Sequence, residues 1–160
     1  MQDRILIDAG PLIALFHSGD NFHRNVKEFL SKNQYCFIST LAVFTEVSYF
    51  LSINLNAQTD FFDWVMHKGV IISDINQNDI PRISDLIKKY ADLPMDFADA
   101  TLIITAEKTG IREILSFDKD FDIYRLAPDL IYGKKGTGQD RLKNVYRSAG
   151  KKNSNQQFSK

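Results

Sequence analysis

One cysteine, three histidines, four prolines and one tryptophan are all that 160 residues contain of these types. Nor does any apolar run approach the roughly 20 residues needed to span a bilayer. Each shortage removes a class of answer. A lone Cys36 permits no internal disulfide, which points to a reducing cytoplasm, and its place in the apolar run YCFIS suggests an inert buried thiol. His17, His23 and His67 are scattered, so neither they nor Cys36 form the ligand spacing of a zinc site. The opening MQDRILIDAG sets Asp3 beside Arg4 and lacks a basic start followed by an apolar core, so no signal peptide is expected. KKGTGQ has glycines but no strand before it and no helix after it, which leaves a linker and not a phosphate loop. There are no repeats and no heptads.

What is present suits one globular domain: 44% apolar and 25% charged residues, enough chain to bury roughly two-thirds of its unfolded surface. The formal net charge of zero conceals an asymmetry. Residues 133–160 carry eight Lys or Arg against one Asp, a net of +7, and residues 1–132 a net of −7. GKKGTGQD and KKNSNQQFSK lack the apolar surface to offset their ordering entropy. The expectation is a domain over 1–132 and a basic, flexible tail over 133–160, with RLKNVYRSA as a short basic helix inside it.

Along the domain, extended and helical patterns alternate. ILI (5–7), CFIS (36–39), VIIS (70–73) and EILSFD (113–118) read as strands, with a further short one near YRLA. Gly10-Pro11 opens a helix, and Asp20 is the expected cap of NFHRNVKEFLSKN. LAVFTEVSYFLS reads as a helix apolar on most sides, continued by DFFDWVMHK, where Trp64, Phe61, Phe62 and Val65 look like core. IPRISDLIKKYA starts at Asn78 or Asp79, and MDFADATLIITAEKTG runs from Pro94 to a C-cap at Gly110. Short, continuously apolar strands between helices imply an α/β fold, a three-layer α/β/α sandwich around a mainly parallel sheet.

The acids fall where such a fold keeps its crevice, outside the carboxyl ends of the strands. Asp8 follows ILI, and Asp118 follows ILSF. Asp96 and Asp99 share the start of one helix, where its dipole favours negative charge. Glu46 lies among apolar neighbours, a position that suits a carboxylate aimed into a polar crevice. Singly, three have an ordinary reading: Asp8 and Asp96 as helix caps and Glu46 as a solvated helix residue, while Asp118 heads DKDFD, where Asp120 and Asp122 look like loop acids. Together they would raise one another's pKa unless a countercharge intervened. ILIDAGPL, TEVSY and MDFADA contain no Lys, Arg or His. A divalent cation is the simplest partner, and hard oxygen ligands favour Mg²⁺ or Mn²⁺ over Zn²⁺. Such an ion polarises a phosphoryl oxygen and activates water, which is the chemistry of phosphodiester hydrolysis.

At these blocks the sequence resembles the PIN-domain nucleases, in particular the VapC-type toxins of bacterial and archaeal toxin–antitoxin pairs. ILIDAGPLIALF, TEVSYFL, MDFADATLIITAEKTG and ILSFDKDFDIYR follow in the family's order, and the likeness spans essentially residues 4–126. It implies metal-site and catalytic acids at Asp8, Glu46, Asp99 and Asp118, an additional acid at Asp96, and a supporting hydroxyl at Ser116. Ala9 departs from the Thr or Ser common at its position and removes a hydroxyl near the metal. The resemblance also implies Mg²⁺- or Mn²⁺-dependent cleavage of single-stranded RNA in the cytoplasm, a homodimer, and a small antitoxin partner. Arg112, Lys119, Arg125 and the tail are candidates for the cations that must flank an acidic cleft to admit RNA.

Three rivals remain at this point. A housekeeping RNA-processing nuclease would carry the same acids. A non-catalytic module could use the acidic pocket for a basic peptide. A phosphatase or receiver-like domain with a phosphorylated Asp would need a second acid where Gly10 stands, or a late-strand Lys, and neither is evident.

Overall fold

The computed structural model describes residues 3–93, 95–118 and 121. In chain order they form β1 (Asp3–Ile7), α1 (Ala9–Phe16), α2 (His23–Lys32), β2 (Tyr35–Thr40), α3 (Leu41–Leu51), α4 (Leu55–Met66), β3 (Val70–Ser73), α5 (Ile80–Lys89), α6 (Phe97–Thr109) and β4 (Ile114–Leu115). The four strands make a sheet in the order β3-β2-β1-β4, and every pairing is parallel. β1 meets β2 from Asp3↔Tyr35 to Leu6↔Ile38, β2 meets β3 from Phe37↔Val70 to Thr40↔Ser73, and β1 meets β4 at Leu6↔Ile114 and Ile7↔Leu115. All four strands therefore deliver their carboxyl ends to one edge.

The apolar runs of β1 and β2 have the reason given for them, since both faces of the sheet are covered there, whereas β3 at the sheet edge leaves Ile71 and Ile72 exposed. Ile5, Leu6 and Ile7 are all buried, as are Phe37, Ile38, Ser39 and Thr40. Phe37 packs toward Trp64 of α4, while Thr40, on the other face by strand alternation, bonds Thr101 of α6. α6 is buried at every position from Ala98 to Ala106, so its sequence has no amphipathic period, and Gly110 ends it at φ 69°, a left-handed cap. Among the described residues no helix is long and apolar enough to cross a membrane.

Several boundaries move from their expected places. Asp20 does not cap α2; its Oδ1 accepts from the Phe22 N–H at 2.7 Å and closes a turn before the helix begins at His23. α3 and α4 are separate helices, because Asn54 caps a new start by accepting from the Asn56 and Ala57 N–H groups. α3 is not apolar on most sides in the packing sense: it buries the stripe Val43, Val47 and Leu51 and leaves Leu41, Tyr49 and Phe50 exposed. α6 starts at Phe97, three residues after Pro94, because Asp96 and not the proline supplies the cap. β4 keeps only Ile114 and Leu115 of the expected six-residue run. Cys36 is half-buried, not fully enclosed. The strand near YRLA, the boundary at Gly133 and the basic tail lie outside the described residues.

Candidate metal centre

At the carboxyl edge of the sheet, the β1–β4 ladder carries one residue past the strands. The Asp8 N–H donates to the Leu115 carbonyl at 3.0 Å, which fixes Asp8 beside Ser116. Asp8 is then the N-cap of α1, its Oδ1 accepting from the Ala9 N–H at 2.7 Å, while Oδ2 accepts from Ser116 Oγ at 2.7 Å. Ser116 Oγ accepts in turn from the Asp118 N–H at 2.9 Å. One hydroxyl thus links the first and last of the expected acids. Gly10 contributes by size: a Cβ there would stand 3.2 Å from the Phe117 ring, between Ser116 and Asp118, and push on that turn.

α6 brings the second pair. Asp96 caps the helix by accepting from the Asp99 N–H at 2.8 Å, and Asp99 takes a hydrogen bond from the Asp96 backbone, so the two form a reciprocal cap. Asp99 is only 7% exposed, sitting among the buried residues of α6. A pair of hydroxyls ties this helix to the one bearing Glu46. Thr101 gives its proton to the Ala98 carbonyl at 2.7 Å, so Thr40, 2.7 Å away, donates to Thr101 and accepts from the Val43 N–H at the start of α3.

The electrostatics follow from this gathering. Burial pushes the Asp99 carboxyl up to about 8, with Asp96, Asp8 and Asp118 adding repulsion. Asp8 rises to about 6, again mainly through burial, with the Ser116 and Ala9 hydrogen bonds pulling the other way and Asp118 and Asp96 adding to the rise. Glu46 reaches about 7 through partial desolvation, then Asp96 and Asp8, although its side chain is exposed at the rim. Asp8 and Asp96 thus act on both Glu46 and Asp99, Asp118 acts on Asp8 and Asp99, and no cation figures among the groups that shift Asp8, Glu46 and Asp99.

The caps anticipated for Asp8 and Asp96 are real, and they do not compete with a site role. Each carboxylate oxygen has two lone pairs, and capping engages one of them. The donor chemistry fits a hard divalent cation: oxygens only and several formal charges. Among the described residues, however, no three His, Cys, Asp or Glu side chains are gathered closely enough to hold an ion as they stand. Uncompensated like charges keep their distance, and these acids are capped and spaced by Ser116 and by backbone amides.

Other expectations resolve against a site role. Arg112 does not flank the crevice; with Asp3, Arg4, Tyr35, Gly110, Ile111 and Glu113 it lines a pocket at the opposite, amino-terminal edge of the sheet, because it precedes β4. Lys119, Asp120, Asp122 and Arg125 lie outside the described residues. Nδ1 of His23 meets the Ala14 carbonyl at 2.8 Å, that of His67 meets the Asp63 carbonyl at 2.7 Å, and the His17 ring packs on Phe50. Trp64 is core, edge-on to Phe16. The sequence reading missed the Thr40–Thr101 tie and the Gly10–Phe117 contact. Gly10, two residues after Asp8 and where Ala would serve a helix better, was the available signal for the second.

A search of curated proteins returns no match. Among solved structures, the chain resembles the crystal structure of Mycobacterium tuberculosis VapC20, described as a toxin that cleaves the sarcin-ricin loop. The two share 20% identity at a TM-score of 0.68, over 74% of this chain and 93% of that one, a likeness of fold. A sequence model of the PIN domain matches residues 5–126, from within β1 through Asp8, Glu46, Asp99 and Asp118. By that match over most of its length, and with this fold, the chain belongs to the PIN domain family.

Proposed function

We propose that the chain is a divalent-metal-dependent endoribonuclease of the VapC type, acting on single-stranded RNA as the toxin of a toxin–antitoxin pair. The observation that carries this reading is that burial and neighbouring acids raise Asp8, Glu46 and Asp99 together at the carboxyl edge of the sheet, on a PIN scaffold. Asp8, Asp99 and Asp118 are the residues assigned to hold Mg²⁺ or Mn²⁺, with Asp96 adding charge beside them. Bound there, the ion supplies charge neutralisation and Lewis acidity toward a phosphodiester and a water molecule. Glu46, exposed at the rim, is assigned to take the proton that an attacking water gives up. Ser116 orients Asp8 and the Asp118 backbone at once, which keeps the two acids in register with each other. Ile7 and Leu115, which precede Asp8 and Ser116, are fully buried and anchor that edge of the sheet.

The toxin role, a cytoplasmic setting and an antitoxin partner are supported by the family membership and by the fold shared with VapC20. Exposed Tyr49, Phe50, Ile53 and Leu55 at the α3–α4 junction supply the apolar surface that a protein partner or a second copy needs. The test is RNA cleavage by the purified chain with Mg²⁺ or Mn²⁺, with chelator, and with Asp8→Asn. Cleavage should require metal and be lost in the variant. Equal cleavage by Asp8→Asn would remove the site assignment, and no cleavage of any RNA would remove the nuclease reading.

A further inference from the structure

An acidic crevice within a segment of net charge −7 repels the RNA it is assigned to cut. Cations close to the crevice must overcome that, and most described cations are already engaged. Arg82 pairs with Glu107, Lys108 with Asp79 and Lys32 with Glu28, while Arg4 reaches the Thr109 carbonyl and Lys89 lies over the Tyr90 ring. Arg24 and Lys27 are exposed and make no hydrogen bond or ion pair with another described residue.

These two stand three apart on α2 and so share a face, with the buried Val26 and Phe29 on the other. Together with His23, Glu28 and Ser31 they line an open groove of about 570 Å³. Glu28 is answered by Lys32, which leaves the groove's balance positive. The groove is joined to the crevice through packing. Phe22, immediately before α2, lies with its ring 4.8 Å from that of Phe117, whose neighbours are Ser116 and Asp118. At 1.5 Å per residue, Arg24 and Lys27 follow Phe22 along the helix by about 3 and 7.5 Å. A strand with one phosphate among the acids can therefore lay the adjoining phosphates along this face.

Resting on the nuclease reading above, we propose that Arg24 and Lys27 are RNA-positioning residues, and that the α2 groove is the track along which backbone phosphates lead into the acidic crevice. Arg24 offers a planar fork for a phosphate, Lys27 a point charge beyond it. Neither touches the reacting atoms.

The test compares wild type, the double variant Arg24→Ala/Lys27→Ala, the charge-conserving swap Arg24→Lys/Lys27→Arg and Lys88→Ala. Lys88 is exposed near the end of α5 and is no part of the α2 groove. Cleavage kinetics use a labelled, unstructured oligoribonucleotide with Mn²⁺, and binding of the same oligomer is titrated with salt in an Asp8→Asn background. The double variant should raise KM about tenfold with kcat within about twofold, and lower the slope of log K against log salt by about 1.4, two phosphate contacts. The swap and Lys88→Ala should keep the wild-type KM, and thermal midpoints should agree across the set. If wild type cleaves while the double variant keeps its KM and salt slope, the track is wrong and the nuclease reading stands. A fall in kcat at constant KM would equally overturn a positioning role. If wild type neither binds nor cleaves RNA with Mn²⁺, the nuclease reading fails, and this inference with it.

Discussion

Two populations of carboxylates coexist on this chain, and they obey opposite rules. Outside the crevice, Glu28 sits against Lys32, Asp79 against Lys108 at 2.8 Å and Glu107 against Arg82 at 2.7 Å. Glu28 and Asp79 are held below the usual carboxylate range, chiefly by hydrogen bonds from their lysine partners. In the crevice, Asp8, Glu46 and Asp99 are pushed to about 6, 7 and 8, by burial first and by one another second. The same side-chain chemistry is satisfied at the surface and left unsatisfied at the carboxyl edge of the sheet. A fold gains nothing in stability from burying acids without partners. The acids at the carboxyl edge are therefore held there at a cost to stability.

The largest break in the comparison is Asp99→Asn. Losing the most strongly shifted acid should lower RNA cleavage about a thousandfold or more, measured as kcat/KM with Mn²⁺. In metal-free buffer at pH 8 the same variant should melt at least about 3 °C above wild type, because it removes a buried charge. An activity loss accompanied by a lower melting temperature would mean that Asp99 is structural.

The pH dependence of stability follows with its sign. The ordinary Asp value is 3.8, and the folded values of Asp8 and Asp99 are about 6 and about 8. The folded state binds more protons, so stability is fully present below about 4 and is lost as pH rises through 6 and 8. Metal-free protein should thus melt progressively lower from pH 5 to pH 8, and saturating Mg²⁺ or Mn²⁺ should flatten that trend. Thermal denaturation at several pH values reads both, and a rising trend would contradict the crevice electrostatics.

Ser116→Ala is a smaller break. Asp8 would lose the hydroxyl that orients it, and the Asp118 N–H its acceptor, with a cost of about tenfold in activity or metal affinity. The smallest effect belongs to the other population. Arg82 and Glu107 are partly exposed, so Glu107→Gln should cost less than about 1 kcal/mol in denaturant unfolding and leave cleavage unchanged.

Much of this was legible in the residues. The apolar runs ILI and CFIS announced a sheet covered on both faces at its centre, and the acids after strands β1 and β4 do stand together at its carboxyl edge, joined through Ser116. What stayed hidden was contact between distant segments. Nothing local shows that Thr40 donates to Thr101, or that Phe22 packs on Phe117 and so sets α2 beside the crevice. Arg112 was misplaced for the same reason: it is close to Asp118 in sequence, yet β4 carries the chain from one edge of the sheet to the other between them. Asp20 looked like a cap because its residue type suits one, and only the turn it closes at Phe22 reveals its task.

The central claim is that a divalent ion binds among the acids at the carboxyl edge of the sheet. Calorimetric titration of Mn²⁺ into the metal-free protein at pH 6.5, repeated in buffers of different ionisation enthalpy, tests this most directly. The account predicts saturable binding with net proton release, since Asp99 and Glu46 must ionise, and loss of both in Asp99→Asn. No binding, or binding that is unchanged in Asp99→Asn, would contradict it.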